Sequence, residues 1–208
     1  MGSAARLTIA NGSSLLVNGI IPWATNYSDL ASYVAPTAGN DTGGVGLLNS
    51  AGYQGYDASV IPAGAGSATQ NLRLTAATFT VPDQSAGTYA ANAIAFLRTV
   101  NGQNLAFANN ADTLNLTAGT LVLGGAFTSS VGSAVGNGFL TSGGTGAGVN
   151  PLYLFVNSGA TAINSSIVNN GVGQTRLVYT PATTAVTTLF GANTYSGGTQ
   201  LNLSLIHI

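Results

Sequence analysis

The stretch Thr113-Leu114-Asn115-Leu116-Thr117-Ala118-Gly119-Thr120-Leu121-Val122-Leu123-Gly124-Gly125 fits two short apolar runs and two bends into thirteen residues. Leu114 and Leu116 alternate with Asn115 and Thr117, the period of a strand with one buried face, and Leu121 and Leu123 resume that period beyond Thr117-Ala118-Gly119. Neither bend carries the Asn-Gly or Asp-Gly pair of a two-residue hairpin, so the chain reads as turning a corner and not as folding back on itself. Strand, corner, strand, corner is the reading of one coil of a β-solenoid.

The rhythm extends in both directions. Apolar runs recur at Leu72/Leu74, 78–81, 94–97 and Leu105/Phe107 on one side, and at 139–140, 152–156, 167–168, 177–179 and 188–190 on the other. Strand centres about 7 to 12 residues apart fit either a sandwich or barrel of hairpins or a β-helix with two or three short strands per coil. The Asn-Gly pairs at 11, 18, 101, 137 and 170 mostly fall at irregular places, which favours corners. With coils of roughly 20 residues, 202 residues would give on the order of ten coils and a rod near ~45 Å long. In such a stack Asn and Thr side chains can hydrogen-bond along columns and satisfy polar groups without charge. Residues 1–66 read as an irregular, loop-rich part, with weak strand signals at 32–34 and 45–48, and 67–202 as the regular coils.

Composition narrows the function. The 208 residues hold four Arg, five Asp, no Lys and no Glu, while 25 Thr, 20 Asn, 18 Ser and 29 Gly supply a neutral polar surface. Low charge with 45% hydrophobic content argues against disorder. Arg6, Arg73, Arg98 and Arg176 are scattered, so the cationic stripe that neutralises phosphates is missing and nucleic acid is an unexpected partner. No apolar run approaches the 18 or more residues of a membrane-spanning helix. Cysteine is absent, which removes disulfides and thiolate metal sites. No cofactor is expected.

The most specific signal is Leu189-Phe190-Gly191-Ala192-Asn193-Thr194-Tyr195-Ser196-Gly197-Gly198-Thr199-Gln200-Leu201-Asn202. It resembles the autotransporter-associated β-strand repeat, also called the passenger-associated transport repeat: an apolar residue, then Gly-x-Asn-Thr-Tyr-Thr/Ser-Gly-Gly-Thr, an alternating residue and Asn. Gly191, Asn193, Thr194, Tyr195, Gly197, Gly198 and Thr199 carry the match, and Gln200 stands where the family often has Thr. A looser likeness to large repeat proteins of this kind covers Gly19-Ile20-Ile21-Pro22-Trp23-Ala24 and Asp29-Leu30-Ala31-Ser32-Tyr33. The resemblance implies a right-handed, single-stranded parallel β-helix in a secreted or outer-surface passenger, a segment that is not itself membrane-spanning and that stacks on neighbouring coils of a longer chain. Within the 208 residues the start lacks a signal peptide's apolar region and the family's outer-membrane barrel is not included, and truncation is expected to explain both. Leu203 to Ile208 resembles a translated transposon mosaic-end adapter, so 203–208 is set outside the fold and the gene is expected to continue.

Catalytic constellations are sparse. His207, the single histidine, falls in the presumed adapter, which leaves no Ser-His-Asp triad or His-based zinc site. A phosphate-binding Walker loop needs a Lys. The Gly-rich run 143–148 misses nucleotide-loop spacing and reads as a loop, and 43–48 places Leu48 where a calcium nonapeptide needs Asp. Asp29, Asp41, Asp57, Asp83 and Asp112 read as turn caps, with an acid/base pair or calcium set on one sheet as the rival. Arg98 reads as an outward strand residue. Trp23, Tyr53 and Tyr56, within an aromatic cluster that includes Tyr27 and Tyr33, are the candidate glycan contacts, since such rings stack on sugar faces. The expectation is a non-enzymatic, adhesin-like scaffold facing extracellular glycans or matrix. A β-helical carbohydrate-active enzyme or carbohydrate-binding region is the alternative.

Overall fold

Leu, Ile, Val and Phe return in register from one coil to the next, and these columns are the core. The computed structural model describes residues 7–26, 28–36, 43–75, 78–157, 159–182 and 184–202. Arg6, Tyr27, Asp41 and the whole of 203–208 with His207 lie outside the described residues.

A 3-10 turn at Gly12–Leu15 leads into three short strands, β1 (Thr25–Asn26), β2 (Asp29–Val34) and β3 (Gly44–Leu47), paired antiparallel. The solenoid follows. Its first coil holds β4 (Asn71–Leu74) and β5 (Phe79–Val81), the second β6 (Thr88–Leu97) and β7 (Gln103–Phe107), the third β8 (Thr113–Gly124) and β9 (Ser129–Val131). The fourth holds β10 (Phe139–Ser142), β11 (Gly148–Val156) and β12 (Ala160–Ile163), and the fifth β13 (Ser166–Ile167), β14 (Gly173–Pro181) and β15 (Val186–Leu189). β16 (Thr199–Leu201) starts the next. Every described strand pairing from β4 onward is parallel. The fold is therefore all-β, a single-stranded parallel β-solenoid of about five turns.

Each coil has three faces. On the first, Tyr89, Leu114, Leu140 and Ile167 stack, and on the second Leu72, Ile94, Leu121, Leu154 and Tyr179. The third stacks Phe79, Leu105, Val131, Ile163 and Leu189, whose numbers rise by 26, 26, 32 and 26. The coil is thus longer than the roughly 20 residues expected, and the described residues before 57 lie beside the stack and not in it. About five turns, on the order of 25 Å at one strand spacing each, replace the expected ten. Nearly all column residues are fully buried in one cluster, where each Leu or Ile contributes about 1.5–3 kcal/mol. Phe79 meets Phe96 edge to face, with centroids 5.9 Å apart.

The diagnostic stretch 113–125 is one strand, β8, bent where the first face meets the second. Gly119 makes the bend with φ +75°, and a Cβ there would lie 1.9 Å from the Pro151 carbonyl oxygen of the coil above. β6 answers the bend with a register shift between Ala91 and Ala93. In the fourth coil the same point opens into the Gly-rich loop between β10 and β11, which accounts for the 32-residue step. Asn115 and Asn170 donate to its Gly143 oxygen.

The described residues between 7 and 56 form an arm clasped to the outside of the second face. Ile20, Leu30 and Leu48 bury Ala93, Ala95, Ala118 and Val122. Thr120 Oγ1 donates to the Pro22 oxygen at 2.7 Å, Asn18 Nδ2 to Asn92 Oδ1 at 2.9 Å, and Asn71 Nδ2 to the Asn18 oxygen at 2.7 Å. Asn92 Nδ2 in turn donates to Asn71 Oδ1 at 2.8 Å, so side-chain amides do bond from coil to coil. Residues 57–58 then bridge the lower edge of β4, with Arg73 N donating to the Ala58 oxygen.

Arg98 corrects its sequence reading. It is 1% exposed, not outward-facing. At the corner after β6 its guanidinium donates to the carbonyls of Leu123, Gly124, Gly125 and Phe127 and to the hydroxyls of Ser129 and Thr161, at 2.6–3.2 Å. A corner cannot pair its carbonyls in a ladder, and a planar fork of donors gathers them. Burial lowers the guanidinium to about 10, so it stays protonated at neutral pH.

Candidate functional site

The motif 189–202 forms the upper rim of the stack. Gly191 sits where a Cβ would lie 2.3 Å from the Ser165 oxygen, so only glycine lets the corner close on the coil beneath. Asn193 Oδ1 accepts from Ile167 N at 2.8 Å while its Nδ2 donates to the Gly191 oxygen, and Thr194 N donates to the Ile167 oxygen. Tyr195 packs on the core and shares a 2.6 Å bond with Thr199 Oγ1. Gly197 N donates to Thr175 O, Gly198 O accepts from Leu177 N, and Thr199 starts β16. The motif thus bonds downward onto the fifth coil.

The three rings of the arm separate. Trp23 is 51% exposed on a turn. Tyr53 lies over Gly46 and donates to the Gly44 oxygen at 3.0 Å. Tyr56 packs against the arm's core cluster, donates to Asp29 Oδ1 and accepts from Leu30 N, with the Arg73 guanidinium 6.0 Å from its ring. Burial and the Asp29 hydrogen bond raise its phenol. Arg73 pairs with Asp29 at 3.3 Å.

The other described carboxylates hold backbone. Asp57 accepts from Asn71 N, Asp83 from Ser85 N, and fully buried Asp112 from the N–H groups of Gln84 and Ala86. Among the described residues no three or more His, Cys, Asp or Glu gather as metal ligands, and no helix is long and apolar enough to cross a membrane.

A trough runs between the arm and the outer second face of coils four to six. Leu152, Leu154 and Val156 of β11 point inward, so Tyr153 and Phe155 point outward, their rings 6.4 Å apart and 18° from parallel. Tyr153 is level with Val178 and Gln200, and Pro151 with Arg176. Trp23 forms the opposite wall of a cavity of about 360 Å³ here, and Thr25 that of a second, about 170 Å³, beyond Phe155. Asn157, 9% exposed, lines the second cavity, and its buried Nδ2 has no hydrogen-bond partner among the described residues. Of the described rings singled out in the sequence, Trp23 alone lines the trough. The signal for the others was the pair of aromatics at outward positions of the alternating run 152–156.

No protein-family model matches the chain, and among curated proteins and solved structures none matches it. The class of protein stated by the coordinates is a parallel β-solenoid with a lateral antiparallel arm.

Proposed function

We propose that the chain is a non-enzymatic structural segment of a secreted or surface-displayed passenger of the autotransporter type, an adhesin-like scaffold whose coils also help its own export. The observation that carries this reading is the rim. Leu189 and Leu201 continue the buried columns of the third and second faces, yet they are 38% and 60% exposed, and Phe190 is 53% exposed. Such an end is a template for another in-register coil, as expected of a longer solenoid. Coils that add one at a time beyond a membrane gain burial with each step and resist sliding back. The likeness of 189–202 to the transport repeat supports the same reading, and so does a surface made of hydroxyls and amides.

Placed behind a secretion signal and ahead of an outer-membrane barrel, the chain is expected to reach the cell exterior and resist proteinase K there. The double variant Asn193→Ala/Gly191→Val is expected to reduce the protected fraction. A wild-type chain that stays periplasmic, or is displayed only in a protease-sensitive form, overturns the reading.

A further inference from the structure

We propose that the trough binds an acidic oligosaccharide, with sugar faces on the rings of Trp23, Tyr153 and Phe155 and a uronate-type carboxylate on Arg176. The inference stands on the trough alone and does not require that the chain be displayed, so either can fail without the other.

The floor is a sheet face whose backbone groups are already used in the parallel ladders of β11, β14 and β16. An extended peptide, which binds by adding to a strand edge, gains nothing there. The larger cavity, about 360 Å³, falls in the size range of small-ligand sites, and its aromatic floor is edged by the exposed amides of Gln200 and Asn202. An apolar body with a rim of donors and acceptors matches a sugar, which has C–H faces and hydroxyl edges.

Charge selects among sugars. Arg176 is the single charged residue lining either cavity. Its Nε donates to the Gly197 oxygen at 3.2 Å, which ties the side chain to the neighbouring coil where it lines the larger cavity. Arg176 and Tyr153 line the same cavity. A guanidinium prefers a carboxylate, which it can hold by two parallel hydrogen bonds. One cation is too few for a nucleic acid backbone.

Trp23 is the chain's single tryptophan, so its fluorescence reports on this trough directly. Titration with hexagalacturonate is expected to give a saturable change that weakens when salt rises from about 50 to about 500 mM. Arg176→Met is expected to weaken binding roughly tenfold, the loss of one charge-assisted contact, with an unchanged circular dichroism spectrum. By calorimetry, Tyr153→Ala and Trp23→Ala are expected to lose at least as much. No saturable change in the wild type overturns the proposal. So does cellohexaose binding as tightly as hexagalacturonate, or full affinity in Arg176→Met or Trp23→Ala.

Discussion

Arg98 concentrates in one side chain what a corner-rich fold needs, since four carbonyls of the next coil converge on its guanidinium. Arg98→Met fills similar space and supplies no donors, so each of those buried oxygens loses a hydrogen bond, and the Leu123 and Gly124 oxygens keep only the backbone N–H groups of Asn157 and residue 98. It is expected to cost about 3 kcal/mol, seen as a lower urea midpoint, and Arg98→Lys should recover only part. Tyr89 is the opposite case. Its hydroxyl is fully buried and bonds to nothing among the described residues, so Tyr89→Phe is expected to raise stability by about 1 kcal/mol. Burial also pushes its phenol up to about 12. The folded chain then keeps a proton that the unfolded chain releases near pH 10, so stability is full below about pH 10 and falls as pH rises to about 12. Arg98, lowered to about 10, acts in the opposite sense. Comparing wild type with Tyr89→Phe in urea melts at pH 8 and about 11 isolates the phenol: the stability gap should widen at the higher pH.

At the scale of elements, β8 shows what its own residues determine and what they do not. Gly119 lets one strand serve two faces, and Gly119→Ala meets both a left-handed φ and the Pro151 oxygen. A loss above about 2 kcal/mol in thermal or urea melts is expected, while Gly144→Ala, with nothing within 4 Å of an added Cβ, should cost under about 1 kcal/mol. The strand–corner alternation was legible in Leu114, Leu116, Leu121 and Leu123 because period 2 records which side is buried. The arm's docking was less legible. Its trace is the near-continuous apolar run Ala91 to Leu97, the mark of a strand covered on both sides, but which distant segment covers it depends on shape matching that one sequence does not spell out. For the same reason Trp23 was recognised without the strands opposite it, and Arg98 was placed outward on the usual preference of charge for water.

The whole molecule has unlike ends. Residues 57–58 bridge the lower edge of the stack, whereas Leu189, Phe190 and Leu201 leave the upper end apolar and open among the described residues. Adding a designed coil of about 26 residues, with Leu at the two column positions and Asn at the position of Asn193, is expected to raise the melting temperature by several degrees. An unchanged or lower value in a well-folded extension would show that the rim is not a template. Coil length was underestimated because corner residues carry no periodic signal from which to count them.

The lateral arm also sets how the rod would bear load. Its hydrogen bonds and apolar contacts reach Asn71 of the first coil, Asn92, Ala93 and Ala95 of the second, Ala118, Thr120 and Val122 of the third, and at its upper limit Phe155 of the fourth. Tension drawn from the Asn202 end would peel the upper coils one rung at a time, each step resisted by a single coil's ladder bonds and column burial. Unzipping would then meet the stapled coils as a block that yields together, giving a soft, extensible tip on a stiff root.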